Sequence, residues 1–304
     1  MQKTTRQNTT TPLDPSVLAE NYVKTIRAEI QHLGARPQVV GLIASHDKPS
    51  LAYANATQRK FAAIGISYEV RHVERLDLEK QILALNADPT VHGIFIYFPV
   101  FNNEQDGYLR NLVDYRKDIE AGSQYWTHKL YANDRLALAH DPRRKALLPC
   151  TPLAIIKMLS EVAGYADHQT RPFSGQTVTI FNRSEVIGRP LAVMLSNDGA
   201  LVYSFDVNGP LQFRDARPAE VDISREAALA ASNIVITGVP SEHFDKVQCH
   251  EIRPATVCLN FASVPNFADD IASCAATYIP KVGPMTVAMC MRNTVRLFNN
   301  FHRT

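Results

Sequence analysis

Short β-branched runs alternate with stretches of helical period along most of the chain, and this pattern restricts the possible folds more than any other feature. Gln38–Ala44, Ser67–Val73 and Val91–Val100 read as strands, and Pro49–Ala63 and Leu76–Leu85 between them carry apolar residues every three or four positions. Parallel neighbours need a crossover of this kind, whereas a tight turn would suffice for antiparallel ones. A second series follows: strand Thr177–Phe181, helix Ile187–Ser196, strand Ala200–Phe205, helix Ser224–Ala230, and strands Asn233–Thr237 and Thr256–Asn260. The alternation predicts an α/β fold made of βαβ units with mainly parallel sheet.

Punctuation residues divide the chain. Asp14-Pro15 reads as an N-cap followed by a first-turn proline, and Val17, Leu18, Tyr22, Val23, Ile26, Ile30 and Leu33 continue at helical spacing until Gly34. Pro149-Cys150-Thr151-Pro152 places a breaker and a helix start before the apolar run Leu153–Val162, so a domain boundary is expected near residue 150. With 304 residues, 45% of them apolar, two domains are expected: 1–150 completed by 285–304, and 151–284. Residues 101–148 read as an irregular surface loop, 207–223 as a long polar loop without a motif, and Met285–Phe301 as the closing helix.

Composition narrows the functional classes. Lys+Arg number 32 against 30 Asp+Glu, so no net charge draws the chain to nucleic acid. No window approaches the ~18 consecutive apolar residues of a membrane span, and a cytoplasmic protein is expected. Residues 1–13 are polar and Thr-rich and read as a frayed terminus rather than a targeting peptide. The five cysteines, an odd number without a C-x-x-C pair, argue against a disulfide framework and a zinc site, and the ten histidines show no metal-ligand spacing.

The second series carries a dinucleotide signature. Strand Thr177–Phe181 runs into Asn182-Arg183-Ser184-Glu185-Val186-Ile187-Gly188-Arg189-Pro190, a strand–turn–helix whose helix N-terminus offers backbone N–H groups to a pyrophosphate. The full G-x-G-x-x-G spacing is absent, and an ordinary βα turn is the competing reading. Asp206 ends the next strand roughly 20 residues beyond Gly188, the spacing at which a carboxylate accepts from the ribose hydroxyls of NAD and repels a 2′-phosphate. The third strand ends in Thr237-Gly238-Val239, where a backbone turn could touch the cofactor. NAD is therefore expected over NADP.

Six segments in order, Gly41–Tyr53, Gly93–Val100, Lys117–Ala121, Leu148–Pro152, Asn182–Pro190 and Val282–Asn293, resemble the methylenetetrahydrofolate dehydrogenase/cyclohydrolase family, in particular its monofunctional NAD-dependent branch. The turn Val282-Gly283-Pro284-Met285-Thr286 is the most specific of them. The resemblance implies an N-terminal α/β folate-binding catalytic domain completed by the C-terminal helix, a Rossmann-like NAD-binding domain, a tetrahydrofolate one-carbon derivative as substrate, and a homodimer. It places Tyr53, Tyr97, Glu120, Pro284 and Thr286 against the folate and sets Cys150 facing the cleft as a lining residue. It gives Asn182, Arg183, Ser184, Val186, Gly188, Asp206, Thr237, Gly238 and Val239 to the cofactor.

Departures from the family pattern bear on the chemistry. The Tyr-x-x-x-Lys motif of bifunctional members reads Tyr53-Ala54-Asn55-Ala56-Thr57, and Thr57 cannot serve as a cationic acid/base partner. The Gln-Leu-Pro-Leu-Pro segment reads Tyr97-Phe98-Pro99-Val100-Phe101, and the second Asp of Lys-Asp-Val-Asp-Gly is Glu120. Loss of all three identities predicts hydride transfer without ring-opening hydrolysis. Retention of both activities, or a folate- and NAD-binding sensor without turnover, are the alternative readings.

Overall fold

The computed structural model describes residues 13–162 and 171–303, so the Thr-rich start lies largely outside the described residues. Contacts divide the chain into two units: 19–154 with 284–304, and 155–283 with the residues through Leu18.

The first unit takes α1 (Pro15–Gln31) from Ala19 onward and continues with β1 (Gln38–Ile43), α2 (Lys48–Ala63), β2 (Ser67–His72), α3 (Leu78–Ala87), β3 (Gly93–Ile96), α4 (Glu104–Leu112) and α5 (Gln124–Tyr131). Its parallel sheet has the order β2-β1-β3, with Val39 opposite Tyr68 on one side and Gly93 on the other. Val40, Leu42, Ile94 and Ile96 pack against Leu78, Ile82 and Leu85 of α3 and Leu109 of α4. The strand expected over Val91–Val100 stops at Ile96: Pro99, joined to Phe98 by a cis bond, has no N–H to extend the ladder.

Residues 101–148 are not an irregular loop. They contain α4 and α5, which the sequence reading missed because Gly107 and the polar residues of α4 leave little apolar period. Asn103 caps α4 through Gln105 N at 2.9 Å, and the buried Asp106 accepts from Phe101 N at 2.8 Å and Asn102 N at 3.1 Å. The helix is thus held by polar contacts to the chain just before it.

α6 (Cys150–Ser160) leads to the second unit: β4 (Thr177–Phe181), α7 (Gly188–Asn197), β5 (Leu201–Asp206), β6 (Gly209–Arg214), β7 (Arg217–Glu220), α8 (Arg225–Ala231), β8 (Ile234–Thr237), β9 (Val257–Asn260), α9 (Ile271–Cys274) and β10 (Thr277–Ile279). The sheet order is β10-β9-β8-β4-β5-β6-β7. The first five strands are parallel, a Rossmann-like arrangement; β6 and β7 extend the edge antiparallel. The expected polar loop 207–223 is therefore mostly a hairpin, and its exposed, charged outer strand suits a sheet edge. α10 (Gly283–Leu297) closes the chain, and its residues from Pro284 onward belong to the first unit.

The expectation of unpaired thiols is overturned. Cys249 and Cys274 form a disulfide with Cα atoms 5.8 Å apart, while Cys150, Cys258 and Cys290 are free and buried. No spacing rule exposes this pair, because a bridge between Val247 and Phe267 brings its two turns together in space. Among the described residues no helix is long and apolar enough to cross a membrane.

Candidate active site

A cavity of about 510 Å3 opens in the first unit beyond the ends of β1 and β3, the position at which parallel sheets place ligands. α2 supplies one wall. Asp47 caps it by accepting from Ser50 N at 2.8 Å and from the Ser45 hydroxyl, and these donors hold its carboxyl down at about 2. Further along α2, Tyr53 reaches the cavity and meets Tyr97 edge-on, with ring centroids 6.0 Å apart.

The chain from Ile96 to Val100 forms the opposite wall, with the Arg110 guanidinium 4.8 Å from the Phe98 ring centroid. Glu120 completes the floor. Lys117 anchors its segment by donating through Nζ to the carbonyls of Leu85, Asn86 and Asp88 at 2.8, 2.9 and 2.6 Å, which caps α3. Burial, seconded by the nearby Asp118, pushes the Glu120 carboxyl up to about 8, against a smaller opposing pull from Arg110. A half-buried carboxyl with no ion pair among the described residues suits a ligand that brings its own hydrogen-bond donors.

Tyr53, Tyr97, Glu120 and Thr286 thus line one cavity. Thr57 does not reach it: its side chain is buried, and its hydroxyl donates to the Tyr53 carbonyl at 2.9 Å. Cys150 does not face it either, which corrects the expectation of a lining residue. Its Sγ lies under the floor, donating to the Ile119 carbonyl at 3.2 Å, and burial keeps the thiol protonated by raising it well above its ordinary value. Pro284 is not part of the lining, and Thr286 lies 3.5 Å from the Thr151 hydroxyl. Asp47 and Ser50 were not singled out from the sequence, although Asp47-Lys48-Pro49-Ser50 has the form of a helix start. Nothing in the sequence pointed to Tyr68, whose hydroxyl meets that of Tyr97.

In the second unit, the turns after β4 and β8 are tied together. Asn182 donates through Nδ2 to the Gly238 carbonyl at 2.7 Å and accepts through Oδ1 from Ser184 N at 2.9 Å and Ser184 Oγ at 2.7 Å. A Cβ on Gly188 would fall 2.1 Å from the Asn182 carbonyl oxygen, so only glycine lets α7 approach the strand this closely. The residue before α7, Ile187, provides no side-chain cap, and the N–H groups of Ile187 and Gly188 find only the Ser184 hydroxyl, at 3.3 and 3.4 Å. Such long bonds leave that helix end receptive to an anion. Val186 is exposed beside it.

Both turns carry further internal bonds. The Arg183 guanidinium donates to the carbonyls of Ser204 at 2.9 Å and Gly209 at 3.0 Å, and pairs with the Asp206 carboxylate. Asn266 holds Val239 on both sides, accepting from its N–H at 2.9 Å and donating to its carbonyl at 3.0 Å. Thr237 donates to Asn260 at 3.1 Å. Asp206 accepts from Arg183 and Asn208 N through Oδ1, and no bond among the described residues engages Oδ2. An open carboxylate oxygen one strand away from a receptive helix end fits the ribose and pyrophosphate of NAD.

Fold and geometry define a two-unit α/β protein of the dinucleotide-binding kind with an acid- and tyrosine-lined cavity in the first unit. The family profile "Tetrahydrofolate dehydrogenase/cyclohydrolase, catalytic domain" matches residues 13–120, and its NAD(P)-binding domain counterpart matches 149–242. The chain belongs to the tetrahydrofolate dehydrogenase/cyclohydrolase family. It is 37% identical to a methylenetetrahydrofolate dehydrogenase (NAD(+)) of Dictyostelium discoideum, covering 97% of this chain and 96% of that one. Identity to the Saccharomyces cerevisiae protein of the same name is 38%, over 94% and 96% of the two chains. The solved structure of the NAD-dependent 5,10-methylenetetrahydrofolate dehydrogenase from Saccharomyces cerevisiae superposes with a TM-score of 0.86 at 36% identity, covering 94% of this chain and 96% of that one.

Proposed function

We propose that this protein oxidises 5,10-methylenetetrahydrofolate to 5,10-methenyltetrahydrofolate with NAD, and that it does not hydrolyse the product. NAD supplies the nicotinamide carbon that takes the hydride. The chain's own residues bind and orient. Glu120 accepts from the donor edge of the pterin, and Tyr53 lies against the ring. Asp206 accepts from the adenosine ribose, and the start of α7 receives the pyrophosphate. No proton leaves in the hydride step, and the cation formed is stabilised by its own two nitrogens, so positioning carries most of the catalysis.

The single observation behind the second half of the proposal is the state of Thr57. Where bifunctional relatives carry a lysine, this chain has a buried hydroxyl already bonded to the Tyr53 carbonyl. Below it the paired hydroxyls of Tyr68 and Tyr97 are neutral, since burial raises both. None of these groups supplies the positive charge or the tunable titration of a lysine amine.

Purified protein given substrate and NAD, and in parallel NADP, decides the matter. Reduced nicotinamide and accumulating methenyl product with NAD are expected. Prompt conversion to 10-formyltetrahydrofolate would remove the monofunctional half, and tight binding without nicotinamide reduction would remove catalysis altogether. A cytoplasmic homodimer completes the proposal on family resemblance, with sedimentation and fractionation as its tests.

A further inference from the structure

α10 carries Asn293, a fully buried side chain that the reading above does not use. Its Nδ2 lies 3.1 Å from the Ile119 carbonyl, 3.0 Å from the Leu148 carbonyl and 3.2 Å from Cys150 Sγ. An amide has two N–H groups, so three acceptors share two protons. Cys150 adds to the same structure: Sγ donates to the Ile119 carbonyl at 3.2 Å, and its backbone N–H donates to the Glu120 carbonyl at 3.2 Å. The carbonyl before Glu120 and the carbonyl of Glu120 itself are therefore both held by the pair Cys150–Asn293.

The far side of the turn is fixed independently. Asp118 accepts from Ser123 N at 2.7 Å through its carboxylate and from Ala121 N at 3.3 Å through its carbonyl, and Ala121 takes a φ of +54°. Only a well-supported turn holds a non-glycine residue there.

Asn293 is not an economical core residue. Its Oδ1 is buried without a hydrogen-bond partner among the described residues, and an orphaned acceptor of this kind destabilises the fold. What the side chain gives in return is two donors aimed at the turn. An aspartate would present oxygen to two carbonyls, and a leucine would fill the volume but take the amide donor from both, leaving the Ile119 carbonyl to the Cys150 thiol alone.

We propose that Asn293 is a positioning residue for the folate subsite, fixing the peptide that carries Glu120 through the Ile119 carbonyl and Cys150 and so setting where that carboxyl stands in the cavity. The inference rests on the assignment of Glu120 to the substrate. Its reach is across the chain, from the last helix to the floor of the cavity.

Asn293→Leu tests it in the full-length protein, with Asn293→Ala as a second variant that removes bulk should the first fail to fold. The expected result is a folate KM raised about tenfold or more, the scale on which misplacing a binding group by an ångström acts, while the KM for NAD stays unchanged. The Glu120 carboxyl, which faces Asp118 and Arg110, should titrate lower in the ligand-free variant as water reaches it, followed by carbon NMR of labelled glutamate. Loss of melting temperature or active fraction alone, with folate KM and titration midpoint both unmoved in a folded variant, would overturn the proposal. Glu120→Gln in parallel separates the two claims. If it leaves folate KM unchanged while Asn293→Leu still shifts the Glu120 titration, the assignment of Glu120 has failed and the clamp stands as a structural fact only. If Glu120→Gln raises KM and Asn293→Leu moves neither readout, the clamp has failed.

Discussion

The hydroxyls of Tyr68 and Tyr97 lie 2.8 Å apart beneath the substrate cavity. Tyr68 comes from β2, whose partner β1 lies between it and β3, and its ring crosses β1 at Gly41: a Cβ there would fall 2.4 Å from the Tyr68 hydroxyl oxygen. Phe61 packs on the same ring with centroids 4.8 Å apart. Burial lifts the Tyr97 hydroxyl to about 12.

This arrangement predicts coupled stability changes. Tyr68→Phe should cost about 1–2 kcal/mol, because it leaves the Tyr97 hydroxyl without its partner, and Tyr97→Phe should cost a similar amount. The double variant should cost less than the two together, since no orphan remains. Urea unfolding of the three variants measures the coupling, and strict additivity would show that the 2.8 Å contact is energetically idle. Gly41→Ala should cost more than either, about 2–3 kcal/mol, as the ring has nowhere to retreat.

Substrate affinity should depend on pH through Glu120. The ionised carboxylate is the form that accepts from the pterin, yet the carboxyl in the ligand-free protein titrates at about 8. Below that value binding must expel a proton, so the folate KM should fall about tenfold per pH unit on rising toward 8 and level off above it. Initial rates at varied folate between mildly acidic and mildly alkaline pH trace the curve. A flat profile in the wild type would remove Glu120 from the subsite.

The same residue should set a stability slope of opposite benefit. Its folded pKa lies above the ordinary 4.5, so the native state holds the proton more tightly than the unfolded chain does. The stability it contributes is fully present below that ordinary value and is lost as pH rises to about 8. Glu120→Gln, which never ionises, should match the wild type near pH ~4 and exceed it by on the order of 4 kcal/mol near pH ~8. Thermal unfolding at both values reads the difference, and the variant's folate affinity should be poor at each.

The alternating elements were readable from residue periodicity because α2, α3, β1 and the strands of the second sheet bury apolar faces at regular spacing. α4 was not readable: its key residue is Asp106, which bonds three consecutive backbone N–H groups before the helix, and no hydrophobic period marks that. Positions were legible from the motifs: Tyr53 and Glu120 line one cavity, and Asp206 ends β5. Partners were not. Arg183 has the right type for a phosphate, but only the pairing of β5 with β6 shows that the Ser204 and Gly209 carbonyls and Asp206 already engage it. Cys150 and Cys249 fail for the same reason in opposite senses, since one is sealed under a floor and the other meets a distant thiol.

Cofactor choice should turn on the Arg183–Asp206 pair. The Asp206 carboxylate stands at the end of β5 with one oxygen committed to Arg183 and Asn208 and the other open. In that place it accepts from a ribose hydroxyl and repels a 2′-phosphate. Asp206→Ser removes the repulsion and also releases part of the guanidinium that the carboxylate had engaged, leaving an arginine beside the site a 2′-phosphate would occupy. Charge-assisted contacts of this kind exceed neutral ones in strength, so kcat/KM with NADP should rise at least about tenfold while that with NAD falls by a similar factor. The ratio of the two, measured at fixed folate, is the readout. In Arg183→Leu combined with Asp206→Ser the gain with NADP should vanish, because the cation that welcomed the phosphate is gone. A variant pair that gains equally with and without Arg183 would show that the carboxylate acts only by excluding the phosphate, and that the arginine serves β5 alone.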